Sequence, residues 1–259
     1  MEKISAMKKP AKTPSRLIDD SGQPVFGTFD KTFSEFNLLN FRSDSRIRRL
    51  FNWFRLTEWE AVEVISKKGA FLTAIYKFGI LNIHLTVFFE KETGRIHIWN
   101  DTNLFQNRSH LAKTLNEGNV SWYENKHAKT EIVNRYDQKA VRCSGYSKNK
   151  TAGKIDFNFN LERISNPSIV SIPIKSKYPV YSEKDLFKYS GSIKLNDEEM
   201  TDDLTTIAII DDHRGYYPRK SGYDWLSTFK IFETEDHFEP FGLNITDFKL
   251  NPDQYDYHE

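Results

Sequence analysis

The sequence predicts an all-β protein: antiparallel strands closed into a barrel or stacked as a sandwich, arranged as two β units, with one short helix. Three observations carry this. Short stretches alternate polar and apolar residues, as in ILNIHLTVFFE at 80–90 and IDFNFNL at 155–161, which is the pattern of a strand with one buried face. Clusters of Gly, Asn, Pro and Asp punctuate the chain between them. Only one segment has the period of a helix. No motif recurs at the period of about 20 to 50 residues that marks propellers and solenoids.

The elements follow in chain order. Residues 1–24 read as a flexible basic tail, in which Lys8, Lys9, Lys12 and Arg16 stand among Pro10, Pro14 and small residues. Such a stretch buries too little apolar surface to offset its ordering entropy. Its charge would give a weak peripheral contact with a membrane surface. Residues 25–175 form the first β unit. Within it, SRIRRLFNWF at 45–54 places Ile47, Leu50, Phe51 and Phe54 on one helical face, with Ser45 as N-cap. The stripe is expected to be core, docked on the sheet or plugging a barrel end, rather than to lie on a membrane.

In ILNIHLTVFFE, Leu81, Ile83, Leu85, Val87 and Phe89 share one face, and Asn82, His84 and Thr86 the other. KETG at 91–94 is a turn, and Ile96 and Ile98 of the following RIHIW are expected inward. Pairing Glu90 with Arg95 sets Phe89 opposite Ile96 and His97 opposite Phe88. His84 and His97 then lie too far apart along the strands to share an ion and read as surface histidines. SIVSIPI, SGSIKL, LTTIAII, FKIF and FGLNITDF continue the strand pattern. Residues 176–259 form the second β unit, which is expected to be incomplete at its C-terminal end.

Composition excludes several classes. The 259 residues carry a net charge of +1, so no strong field draws the chain to nucleic acid. Cys143 is the one cysteine, which rules out an intrachain disulfide and a multi-cysteine zinc site. There is no apolar leader, no membrane-length apolar run, no P-loop, no dinucleotide fingerprint and no GxSxG or HExxH. The expectation is a soluble cytoplasmic protein without cofactor or metal. Aromatic residues make up 14% of the chain, a ring-rich core suited to an apolar partner.

The candidate site is DDHRGYYPRKSGYDW at 211–225. LTTIAII is read as a strand ending at Asp211, so this run sits at a barrel mouth, where ligands bind. Asp211 and His213 are the candidate acid–base pair. Arg214 would clamp an anion, with Lys184 of YSEKD joining it to hold an anionic head group. Tyr216, Tyr217 and Trp225 offer apolar faces with polar tips. Gly215 is expected to supply an unusual φ and Pro218 to stop pairing. Alternation sets Asp211 and His213 on one face and Asp212 and Arg214 on the other. The Asp212–Arg214 pair would then be structural, and Asp212→Ala strongly destabilising, whereas Asp211→Asn would leave stability nearly intact.

Four segments carry a family resemblance: FRLTEWEAVEV at 54–64, YPVYSEKDLFKYSGSIKLN at 178–196, DDHRGYYPRKSGYDW at 211–225 and FGLNITDFKLNPDQYDYHE at 241–259. Together they resemble the family known as domain of unknown function 2804, from about Gly22 to the last residue. The chain departs from that pattern at Asp212, where the family has a tryptophan. The resemblance implies a lipocalin-like or calycin-like β architecture, similar in outline to the two-barrel carotenoid hydratases, and an apolar ligand. It adds Trp59 of the first segment to the candidate ligand contacts and carries no catalytic residue over. Two functions are therefore expected. One is binding of a lipid or isoprenoid-like molecule in a barrel cavity. The alternative is a hydratase, isomerase or cyclase using Asp and His as proton carriers. An open sheet edge would pair with a second copy.

Overall fold

The computed structural model describes residues 9–104, 108–174, 177–201, 205–218, 223–233, 238–248 and 257–258. Its strands are β1 (Gly27–Phe29), β2 (Thr57–Ile65), β3 (Gly69–Phe78), β4 (Leu81–Glu90), β5 (Ile96–Leu104), β6 (Ser109–His110), β7 (Asn119–Glu124), β8 (Ala128–Arg135) and β9 (Ala140–Asn149). They continue with β10 (Gly153–Arg163), β11 (Ser168–Ile174), β12 (Tyr178–Leu195), β13 (Glu198–Glu199), β14 (Ile207–Gly215), β15 (Tyr223–Glu233), β16 (Phe238–Phe248) and β17 (Tyr257–His258). Among the described residues the one α-helix is α1 (Arg46–Arg55), and a 3-10 turn spans Leu38–Asn40. The first fourteen strands make one antiparallel sheet in the order β5-β4-β3-β2-β14-β12-β10-β9-β8-β7-β6, with β1, β11 and β13 attached beside β12. It curls into a half-barrel, and β15–β17 form a small second sheet.

The 18-residue β12 organises this sheet. One edge pairs with β11 through Ser168↔Lys184 and then with β10 through Arg163↔Phe187. Its other edge pairs with β14. A strand this long must bend, and Gly191 takes φ +144 where a Cβ would stand 2.5 Å from Asn158 O. Strands from both sides of residue 175, the expected boundary between the two β units, share this sheet.

The two arms of the half-barrel meet through a mixed interior. One part is apolar, with Val62, Val64, Phe71 and Phe88 packed on Ile132, Phe157, Phe159 and Phe187. The other part is polar. Thr73 Oγ1 lies 3.3 Å from Thr130 Oγ1, Thr86 Oγ1 lies 3.0 Å from Ser147 Oγ, and His84 Nε2 lies 2.7 Å from Thr130 Oγ1.

This arrangement corrects the orientation expected for the β4–β5 hairpin. The register is as expected, with Phe89↔Ile96 and Phe88↔His97. The faces are reversed. His84 and His97 are 0% and 5% exposed, while Ile96 and Ile98 are 59% and 53% exposed. The polar face turns inward because β8 and β9 bring hydroxyl groups that satisfy it.

Two further expectations change. Residues 9–24 are not a free tail: Leu17 and Ile18 are fully buried with Phe33, Leu38 and Phe41. Asn37 pins the segment by accepting from Ile18 N at 2.8 Å and donating to Ile18 O at 2.7 Å. Residues 1–8 lie outside the described residues. The helix forms as expected, with Ser45 Oγ accepting from Arg48 N at 3.2 Å, but its apolar stripe is not core. Asn52 is its buried residue, donating to Leu39 O and Phe41 O at 3.1 and 2.7 Å. The surface beneath α1 offers main-chain carbonyls, so a polar side chain docks and the stripe faces solvent.

Candidate functional site

β14 does not end at Asp211. It runs to Gly215 and all nine of its residues are buried. β2 and β12 flank it, so the DDHRG run lies inside the sheet rather than at a mouth. Charged side chains are tolerated in a central strand here because each finds a partner on its own face. Gly215 serves close approach rather than an unusual φ: a Cβ would sit 2.5 Å from Pro179 O.

On the inner face, Arg214 grips Asp212 in a two-pronged pair, Nε to Oδ1 at 2.8 Å and Nη2 to Oδ2 at 2.7 Å. Its Nη1 donates to Ala112 O at 2.6 Å, and the guanidinium lies over the Phe36 ring. Glu60 stands nearby, bonded by Asn134 and Ser121. Burial, reinforced by Asp212, pushes the Glu60 carboxyl up to about 7. Arg214 is 2% exposed and its donors are engaged inside the protein.

The outer face carries a second cluster. Asp211 faces Lys184 on β12 and Ala61 on β2, while His213 faces Ser182 and Trp59. Asp211 Oδ1 lies 2.9 Å from His213 Nε2 and 3.3 Å from Lys184 Nζ. Lys184 Nζ in turn lies 2.8 Å from His213 Nε2 and 2.9 Å from Ser182 Oγ. His213 Nδ1 lies 3.1 Å from Tyr217 OH. Trp59 stacks on the imidazole with centroids 4.4 Å apart and planes 13° apart.

Accepting from Lys184 uses a lone pair on Nε2, while Asp211 Oδ1, though 2.9 Å from the same nitrogen, makes no hydrogen bond of good geometry among the described residues. Burial opposes the charge on Asp211, but His213 and Lys184 outweigh it and hold the carboxyl well below its usual range.

Glu63 completes the cluster and was not singled out in the sequence. It sits on β2 opposite Ile209, diagonal to Asp211, and its Oε1 is buried with no hydrogen-bond partner among the described residues. Burial, then the Asp211 charge, pushes its carboxyl up to about 8 against the pull of Lys184. A protonated acid thus stands beside an ionised one, the arrangement that separates acid and base roles.

Asp211, His213, Lys184, Trp59 and Tyr217 are brought together, and the other predicted residues are not. Arg214 is on the opposite face from Lys184, so the two do not form a joint anion clamp. Tyr216 belongs to another core, its OH donating to Leu38 O at 2.7 Å. Trp225 lies on β15 and donates to Asn244 Oδ1 at 2.5 Å. Asn244 itself lines a cleft of ≈ 230 Å³ with Lys184, Leu186, Ile209 and Gly242, where the small sheet covers the outer face.

A larger cleft of ≈ 480 Å³ opens between β5 and the β8–β9 region, lined by His84, Trp99, Asp101 and Lys148 among others. None of the sequence-predicted residues lies there. Among the described residues, no group of three His, Cys, Asp or Glu is placed to hold a metal, and no helix is long and apolar enough to cross a membrane.

The family model described as Domain of unknown function (DUF2804) matches residues 8–249. A comparison with the curated proteins gives no match. The chain belongs to the DUF2804 family.

Proposed function

We propose that the protein binds an apolar small molecule on the outer face of the large sheet and moves a proton on it, as a hydratase or isomerase does. The larger cleft at His84 and Trp99 holds none of the residues that gather around Asp211, and those residues lie on the outer face, so the outer face is the better place for a ligand than the barrel cavity the sequence suggests. The observation that carries the reading is Glu63: a buried, unpartnered carboxyl oxygen beside an ionised carboxylate held by Lys184 and His213. Protonated Glu63 is the acid. Asp211, flanked by His213 and Lys184, stabilises the cation that forms and takes a proton back.

An aromatic row leads to this cluster. Phe78 stacks on Tyr76 at 6.3 Å, Tyr76 lies 6.0 Å from Trp59, and Trp59 covers His213. Ala61, Ala74 and Leu72 continue the same face and surround the cluster with apolar neighbours.

The test uses organic-solvent extracts of the purified protein, before and after incubation in D2O. Mass spectrometry should find an apolar molecule that gains deuterium. Glu63→Gln and Asp211→Asn should each slow labelling by about a hundredfold or more, and Trp59→Ala should reduce the amount bound. Extracts with no apolar molecule would refute the binding reading. Equal labelling by Glu63→Gln would refute the acid role.

A further inference from the structure

We propose that α1 and the strand ends beside it form a docking surface for an anionic phospholipid bilayer, independently of the reaction above. Ile47, Leu50, Phe51 and Phe54 are 70%, 54%, 61% and 52% exposed. They fall on one helical face, opposite the buried Asn52. A helix that docks through an asparagine and shows four large apolar side chains to solvent has its faces reversed from those of a core helix. Trp53, 38% exposed, adds an interfacial anchor.

The surface continues onto the sheet. A Cβ at Gly79 would stand 3.1 Å from the Phe54 main chain, so the β3–β4 turn abuts the helix. Phe78, Leu81 and Leu104 then form a row across three neighbouring strands in register. Phe78 and Leu104 are 37% and 56% exposed.

Charge decides the occupant. RIRRLFNWFR contains four arginines and no acidic residue. Among the described residues none of Arg46, Arg48 and Arg49 has a carboxylate partner within ion-pair distance. Apolar side chains flanked by unpaired arginines match a bilayer with anionic head groups. A second copy fits poorly, because a two-fold contact through this patch would set arginines against arginines.

Flotation with phosphatidylcholine vesicles, with and without phosphatidylserine, tests this. The full chain should float with the serine-containing vesicles and release as salt rises towards about 0.5 M. The pairs Phe51→Glu with Phe54→Glu and Arg46→Glu with Arg49→Glu should each lower partitioning by about tenfold or more. Their melting temperatures should match the wild type, since these side chains are exposed. Glu63→Gln should float like the wild type, which separates this surface from the proposed site. Failure of the wild type to float at low salt would overturn the proposal, as would equal flotation of the variants. So would a dimer that Phe51→Glu dissociates, which would show a second copy covering the helix.

Discussion

The two faces of β14 hold the same kinds of residue in opposite states. Inside, Asp212 and Arg214 face each other in fixed two-pronged geometry, and the guanidinium is fully engaged. Outside, Asp211, His213 and Lys184 meet within ion-pair distance, and Asp211 Oδ1 makes no hydrogen bond of good geometry among the described residues. A side chain of ordinary reach also leaves Glu63 Oε1 without a partner. Neighbours one residue apart on a strand thus divide between a closed pair and the cluster proposed to move a proton. Alternation makes this division possible, since adjacent side chains never share a face.

The largest effect that would sharpen the comparison is expected from Asp212→Ala. Arg214 is 2% exposed, and removing its carboxylate leaves a buried cation whose remaining ion-pair contact among the described residues is the longer one to Glu58 at 3.6 Å. The cost should be about 3 kcal/mol or more, or on the order of 6–12 °C in melting temperature. Replacing both partners together, as Asp212→Leu with Arg214→Met, should recover most of that loss, because the penalty lies in the unpaired charge. A thermal melt in which Asp212→Ala matches the wild type would break the distinction between the faces.

A smaller effect is expected from Asp211→Asn. The alternation argument predicts almost no loss of stability there, and the structure revises that. Asp211 is itself 6% exposed and pairs with Lys184, which is 5% exposed. The amide cannot balance the lysine charge, so a cost of about 1–2 kcal/mol is expected. The adjacent cleft gives the Lys184 ammonium access to water, which keeps the loss below that of Asp212→Ala. Chemical denaturation of both variants gives the order directly, and the reverse order would overturn the assignment of roles.

How far the sequence led differs by element. The β4–β5 register was readable because turn length fixes it: KETG joins the strands and Phe89 meets Ile96. Which face points inward was not readable, since alternation looks the same from both sides. The answer depended on Thr130 and Ser147, which arrive from β8 and β9 to bond Thr73, His84 and Thr86. For α1, the period and the Ser45 cap located the helix, but its docking through Asn52 depends on the carbonyls of Leu39 and Phe41.

The site followed the same rule. The split of Asp211 and His213 from Asp212 and Arg214 follows from one strand alone. Glu63 becomes meaningful only once β2 is known to pair with β14, although Trp59, Ala61 and Glu63 already share a face in TEWEAVE. Tyr216 follows β14 directly in sequence, yet its OH bonds Leu38 O in another core, and Trp225 sits on the small sheet bonded to Asn244.

The smallest effect is a pH dependence carried by Glu63. In the unfolded chain its carboxyl loses its proton near its ordinary value of 4.5, while burial and Asp211 hold the folded group protonated up to about 8. The folded state therefore binds more protons across that window, and its stability falls as pH rises through it. Glu60 and Glu183, raised to about 7 and about 8, add slopes of the same sign. Asp211 acts oppositely, since its depressed value contributes stability that is lost only in strong acid. Glu63→Gln removes one slope and leaves the rest. The melting temperature of the variant relative to the wild type should climb from pH 5 to pH 8 and level off above it. Because Glu63 is only half-buried, solvent screening limits the gain to about 1 kcal/mol, or about 2–4 °C. A difference that stays constant across the window would show that Glu63 is already ionised beside Asp211, and the outer face would then hold two like charges and no acid.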